Sequence, residues 1–259
     1  MITDVQSLLG TFLPFGLEET EKIRLMDRVD TKFVFPVSRV SDLFEAMDGK
    51  YRILEVNGQR ICKYSTTYLD TSDYLFFTQH VTGKSERYKV RFRYYASTGG
   101  NFLEVKKKTK NNRTVKWRIE DRSGSYACNS DALQFIGSHV PDCPENLNAV
   151  LTNSFRRVTF VCPDHPERIT LDLDLAFSGQ SGETSVIPWI AIAELKSEGL
   201  PMRSPFRMLM KKLHVNPTGF SKYCMGNALL FDVPHKFNLK PKLLLINKLK
   251  NEYNQYAYS

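Results

Sequence analysis

The segment "RYKVRFRYY", residues 87–95, alternates with the period of a β-strand, and one of its two faces is cationic. Lys89, Arg91 and Arg93 fall on one side; Tyr88, Val90, Phe92 and Tyr94 fall on the other. The pattern recurs along the chain. In "FLEVKKK", Glu104, Lys106 and Lys108 oppose Leu103 and Val105, and in "TVKWRIE", Lys116, Arg118 and Glu120 oppose Val115, Trp117 and Ile119. In "RITLDLDL", Arg168, Thr170, Asp172 and Asp174 oppose Ile169, Leu171, Leu173 and Leu175. "IAIAELKSE" sets Glu194 and Lys196 against Ala191, Ala193 and Leu195, and "DRVDTKF" aligns Arg28, Asp30 and Lys32. Alternation is symmetric, so the pattern alone does not say which face is inside. A sandwich would bury the apolar faces and show the charges to water. A barrel can instead pack its apolar outside under helices and line its lumen with charge. Arg and Lys dominate these polar faces, with isolated acids, where a solvent face normally mixes Ser, Thr, Asn and Gln with both signs; this favours the barrel. Cations facing one another across a lumen need water, counter-ions or a polyanion. Carboxylates among them are what a divalent metal bridging phosphate oxygens requires.

The charge is local. Between Lys84 and Arg118 there are twelve Lys/Arg and two acids, a segment charge of +10 in a chain whose total is +8. Such a field points to phosphate, nucleic acid or an acidic membrane surface. Further strands are expected at 27–36, 61–70, 154–162, 168–177 and 189–198, with 87–95, 102–108 and 114–120 as successive hairpins through "STGGN" and "KNNR". Helices are expected over 1–24, after a Ser38 cap (Val40, Leu43, Phe44, Met47), within "DTSDYLFFTQHV" and at 204–213, and residues 123–146 read as a polar connection. The resulting fold class is α+β: an antiparallel, eight-stranded or nearly eight-stranded tunnel β-barrel with flanking helices and a charged lumen. Residues 1–24 form a helical lead-in, 25–226 the barrel, and 227–259 a helical tail whose "KPKLLLINKLKNEY" is basic and amphipathic.

Five scattered cysteines without a CxxC pair, and five histidines without ligand spacing, argue against a disulfide scaffold or a zinc site and for a reducing cytoplasm. No run of eighteen apolar residues exists, and the N-terminus lacks a basic n-region. The expected location is cytoplasmic, with peripheral contact at the inner membrane face and a separate membrane partner as the alternative. Nucleic acid is disfavoured, because single-strand platforms put aromatics and cations on one face and here they oppose.

"DTKFVFP", "STTYLDT", "KVRFRYY", "FLEVKKKT", "TVKWRI", "FRRVTF", "RITLDL", "AELK" and "FSKYCMG" occur in the order that resembles the VTC domain, the polyphosphate-polymerase domain of vacuolar transporter chaperones. That family lies among the triphosphate tunnel metalloenzymes and has free-standing bacterial relatives. The resemblance runs from Arg28 to Gly226. It implies a tunnel that binds ATP, inorganic triphosphate or polyphosphate with Mn2+ or Mg2+, and transfer of the γ-phosphate of ATP onto a growing polyphosphate chain. Matched by motif, Lys32, Arg91, Arg93, Lys106, Arg157, Arg168 and Lys222 are the catalytic cations. Arg28, Lys89, Lys116, Arg118, Lys196 and Ser221 are expected to bind substrate. Glu194 matches the metal-holding acid, with Glu104 as a second.

Phosphoryl transfer asks the protein mainly to position groups and neutralise non-bridging oxygens. The acceptor phosphate is already ionised, which accounts for the lack of a catalytic histidine motif. Two departures stand out. "RVDTK" has Arg28 and Asp30 where hydrolytic tunnel enzymes carry two glutamates, and Phe155 stands where the polymerase pattern has tyrosine. A triphosphatase and a non-catalytic polyphosphate-binding module are the alternatives.

Overall fold

The computed structural model describes residues 2–22, 28–111, 113–124, 126, 128–144, 146–198 and 204–257, without the side chains at 2–5, 20–22, 28 and 256–257. The chain opens with α1 (Ile2–Gly10), β1 (Pro14–Phe15) and α2 (Leu17–Lys22). Strand β2 (Arg28–Pro36) leads through a 3-10 turn at Val37–Arg39 into α3 (Val40–Met47). Then come β3 (Arg52–Leu54), β4 (Cys62–Asp70), α4 (Leu75–Val81) and the meander β5 (Arg87–Tyr95), β6 (Gly100–Lys108) and β7 (Thr114–Glu120). Helix α5 (Ser130–Gly137) precedes β8 (Asn148–Val161), β9 (Glu167–Ser178), β10 (Thr184–Ile187) and β11 (Ile190–Glu198). Helices α6 (Pro205–Lys212) and α7 (Lys222–Leu230), a 3-10 turn at Lys236–Leu239, and α8 (Lys240–Ala257) complete the described chain.

The main sheet runs β2-β11-β9-β8-β4-β5-β6-β7, and every neighbouring pair on this eight-strand path is antiparallel. Helices flank it, so the class is α+β. The sheet is not closed by hydrogen bonds: among the described residues β2 and β7 do not pair. The outer edge of β2 is met instead by an irregular segment, with Pro217 bridged to Phe33 and the Thr218 amide donating to the Lys32 carbonyl at 2.7 Å. Proline has no N–H to continue a ladder, so this segment covers the edge without becoming a strand.

The apolar faces turn outward under helices. On β5, Tyr88, Val90 and Phe92 pack with Leu103 and Val105 of β6 against Ala132 and Ile136 of α5. On β2, β9 and β11, Phe33, Phe35, Ile169, Leu171, Ala193 and Leu195 join Leu9, Leu43, Phe44 and Phe206 of α1, α3 and α6. Each large side chain so buried contributes about 1.5–3 kcal/mol. Because side chains alternate, the charged faces of the same strands point into the concave side. Residues 123–146 are therefore not a mere polar connection. They hold α5, capped by Asn129 Oδ1 accepting from Ala132 N at 2.9 Å, which supplies the cover for β5 and β6.

Two local expectations are corrected. Val37–Arg39 forms a 3-10 turn, so α3 starts at Val40 without a Ser38 side-chain cap. Asp174 does not share the face of Asp172: the β8–β9 register slips between Ser154 and Arg156, Asp174 takes φ +51°, and it pairs with Arg156. This bulge re-aims the remaining side chains of β9. Leu175 and Phe177 pack with Phe155, Tyr68, Val34 and Ile192 and with Tyr223 and Met225 of α7. Part of the concave side is thus apolar and seats α7. Gly226 permits the close approach, since a Cβ there would lie 2.5 Å from Phe177 and 2.6 Å from Leu151. At the start of α4, Thr71 Oγ1 accepts from the Leu75 amide at 3.0 Å, Asp70 accepts from the Phe76 and Phe77 amides at 2.8 and 2.9 Å, and Tyr223 donates to the same carboxylate. That carboxylate fastens α4 to α7. Among the described residues no helix is long and apolar enough to cross a membrane.

Candidate functional site

Where the charged inner face meets the N-terminus of α7, a cavity of about 460 Å³ is lined by six Lys/Arg side chains and two carboxylates. Lys32, Lys89 and Lys106 reach it from β2, β5 and β6. Lys32 Nζ donates to the Phe220 carbonyl at 3.0 Å, and Lys89 Nζ donates to Ser221 Oγ at 3.1 Å. Ser221 also caps α7, its Oγ accepting from the Cys224 amide at 3.3 Å, so one hydroxyl ties the helix start to β5. Lys89 and Lys106 lie directly opposite in the β5–β6 ladder. Burial, then the charges of Lys32 and Arg91, pull Lys89 down to about 8 and Lys106 to about 7. Like charges so placed favour a bound polyanion.

The other cations are balanced inside the fold. Glu104 is buried, and Arg91 holds it through Nε at 2.8 Å and Nη2 at 2.7 Å. Lys116 pairs with the other oxygen, and Arg93 Nε stands 3.9 Å away. Burial would raise the Glu104 carboxyl, but Arg91, Arg93 and Lys116 outweigh it and hold the group well below the usual range. Glu104 is thus the shared counter-ion of three cations, and it stands apart from the cavity that Glu194 lines. A second cluster centres on Asp172, which accepts from Arg157 Nε at 2.6 Å and Nη2 at 2.8 Å and pairs with Lys222. Against burial, Arg157 and Lys222 hold Asp172 down at about 2. Phe155 stacks on Tyr64 at 5.3 Å and lies beneath Arg157 at 5.1 Å and Lys222 at 4.3 Å. Its ring lines these cations rather than donating a hydrogen bond.

Lys196 joins two acids, donating to Glu194 at 2.6 Å and lying 3.3 Å from Asp30. Arg118 packs 4.9 Å over the Phe102 ring, and Arg168 lies opposite Lys196 in register. The Arg28 side chain lies outside the described residues. The structure therefore brings Lys32, Lys89, Lys106, Ser221 and Glu194 into one cavity. It distributes Arg91, Arg93, Lys116, Arg157 and Lys222 among internal ion pairs on the same concave side.

Sequence reasoning passed over Asp172 as a site residue, although alternation put it on the charged face. It also passed over Arg87, Lys108 and Lys242, which line the cavity, and His80. His80 Nδ1 accepts from Arg87 Nε at 3.1 Å, which leaves the proton on Nε2 to donate to the Tyr88 carbonyl at 3.1 Å. Burial, then Lys89 and Arg87, push its pKa down to about 2. It is a neutral brace, not a base.

Among the described residues no three acids, histidines or cysteines gather as a metal cage. Glu194 and Asp30 nevertheless both line the cavity. Burial would raise Glu194, but Lys32 and Lys196 keep it ionised. One or two carboxylates completed by substrate phosphates is how Mg2+ is commonly held, so this donor set fits an ion that arrives with its phosphate.

Residues 27–231 match the VTC domain. The chain belongs to the VTC domain family. Among curated proteins, none matches the sequence. Solved structures with a similar fold include a candidate adenylate cyclase from Vibrio parahaemolyticus, at 13% identity and TM-score 0.46 over 77% of this chain and 97% of that one. The PH1819 protein from Pyrococcus horikoshii gives 13% identity and TM-score 0.44, covering 84% of this VTC domain chain and 99% of its own. HpAC1 from Hippeastrum, a candidate adenylyl cyclase with a dominant triphosphatase activity, gives 13% and 0.49, with 81% and 99% covered.

Proposed function

We propose that this VTC domain is a polyphosphate polymerase-like phosphotransferase that moves the γ-phosphate of ATP onto a growing polyphosphate chain. One observation carries the reading: Lys32, Lys89 and Lys106 converge on a cavity that is cationic beyond what its carboxylates neutralise. Its volume of about 460 Å³ is in the range of small-ligand sites. Lysines there act as point charges on non-bridging oxygens, and the start of α7 adds its Ser221 hydroxyl and amide dipoles. Arg91, Arg93, Arg157 and Lys222, held by Glu104 and Asp172, keep the surrounding field positive and fixed before substrate arrives. Glu194 and Asp30 would hold a divalent ion, whose charge would offset that developing on the transferred group.

His80 is the one histidine among the described cavity-lining residues, and with both nitrogens engaged it braces the site rather than serving as a base. A phosphate acceptor needs no such base. Incubation with ATP and Mn2+ or Mg2+, followed by gel analysis, is expected to give long phosphate chains. Release of orthophosphate alone would identify a triphosphatase. No turnover with tight tripolyphosphate binding would identify a binding module.

A further inference from the structure

The family match ends at residue 231, but the cavity does not. Lys242, in the first turn of α8, lines it together with Asn238 of the preceding 3-10 turn. This C-terminal element is fixed in place. Asn238 Nδ2 donates to the Val81 carbonyl at 3.2 Å, and Trp189 Nε1 donates to the Ile246 carbonyl at 3.1 Å. Lys250 lies 5.3 Å over the Trp189 ring.

Across the cavity, Arg87 and Lys108 form the ladder pair next beyond Lys89 and Lys106. Two residues along a strand is about 7 Å, so this pair lies one step further out than the inner lysines. Arg87 is pre-oriented: Nε donates to His80, and Nη1 donates to the Lys84 carbonyl at 2.6 Å. The two carboxylates of the cavity, Asp30 and Glu194, belong to β2 and β11 and not to this outer group.

We infer that Lys242, Arg87 and Lys108 form an outer anion subsite at the cavity mouth, which holds the distal phosphates of a chain longer than a triphosphate. The inference deepens the polyphosphate reading and rests on it. The inner lysines take the reacting phosphates, and the outer three take the length of the chain. Chain length is then read by a helix outside the family-matched segment.

The test is calorimetric titration of the full chain with sodium tripolyphosphate and with long-chain inorganic polyphosphate, at one salt concentration. The variants are Lys242→Ala and Arg87→Ala, with thermal melts to confirm folding. Each variant is expected to weaken long-chain binding about tenfold, as loss of one charged contact does, and to leave tripolyphosphate within about twofold. Equal loss for both ligands would merge the outer group with the inner site and overturn the inference, as would no loss for either. An oligodeoxynucleotide that bound as tightly and depended equally on Lys242 would overturn the phosphate-chain assignment. If the unaltered chain ignored tripolyphosphate yet kept Lys242-dependent long-chain binding, the triphosphate-site reading would fail and the mouth subsite would stand.

Discussion

On the β8–β9 side of the lumen, Arg157 and Lys222 share Asp172, and all three are held by mutual ion pairs. On the β5–β6 side, Lys89 and Lys106 face each other with no ion pair to either among the described residues, and their pKa values fall to about 8 and about 7. The first wall is electrostatically complete without ligand. The second is strained until an anion enters. Removing a charge should therefore have opposite consequences on the two sides: instability on the first, weaker binding with better folding on the second.

The largest effect is expected at the complete wall. Asp172→Ala leaves Arg157 and Lys222 buried without their counter-charge and should cost about 3–5 kcal/mol, read by urea unfolding. A loss under ~1 kcal/mol would show that solvent, not Asp172, neutralises these cations. At the strained wall, Lys106→Met should weaken tripolyphosphate about tenfold to hundredfold while raising the melting temperature of the empty protein by about 2–4 °C. A lowered melting temperature would erase the contrast between the walls.

The smallest effect is on pH, and its sign comes from the same lysines. A folded-state pKa below the unfolded value means the unfolded chain binds more protons between about 7 and the ordinary lysine value of 10.5. Stability of the empty protein should rise with pH across that window, apart from other groups, and Lys106→Met should flatten the rise. Phosphate binding favours the charged lysine and takes up a proton, so affinity should fall as pH climbs through 7 to 8. Titration in buffers of different ionisation enthalpy would detect that proton; its absence would place the lysines fully charged beforehand.

The strands of the charged wall were legible because alternation is a local property, and the short turns made β5, β6 and β7 neighbours; the order β2-β11-β9-β8-β4 departs from chain order and was not legible. Spacing placed Lys32, Lys89 and Lys106 each on the charged face of its own strand, and the motif resemblance turned those faces inward. What spacing could not supply was which acid answers which cation. Glu104 reads like Glu194, each two residues before a lysine, yet three cations converge on Glu104 and the cavity takes Glu194. That distinction is set across strands, by register. The Asp174 bulge was equally hidden, since a single left-handed residue reverses every later side chain without altering composition. Lys242 escaped because α8 reaches the cavity only through tertiary docking by Trp189 and Asn238.

The open seam of the sheet also bears on self-association. Strand β7 pairs only with β6 among the described residues, and Val115 and Ile119 on its apolar side remain 38% and 37% exposed. An unpaired hydrophobic edge invites strand addition from another copy. Lys116, Arg118 and Glu120 occupy alternate positions along that edge, and charged side chains there disfavour intermolecular pairing. The charged side chains of β7 thus guard the edge against aggregation, and high salt, which screens them, is the condition under which self-association is expected first.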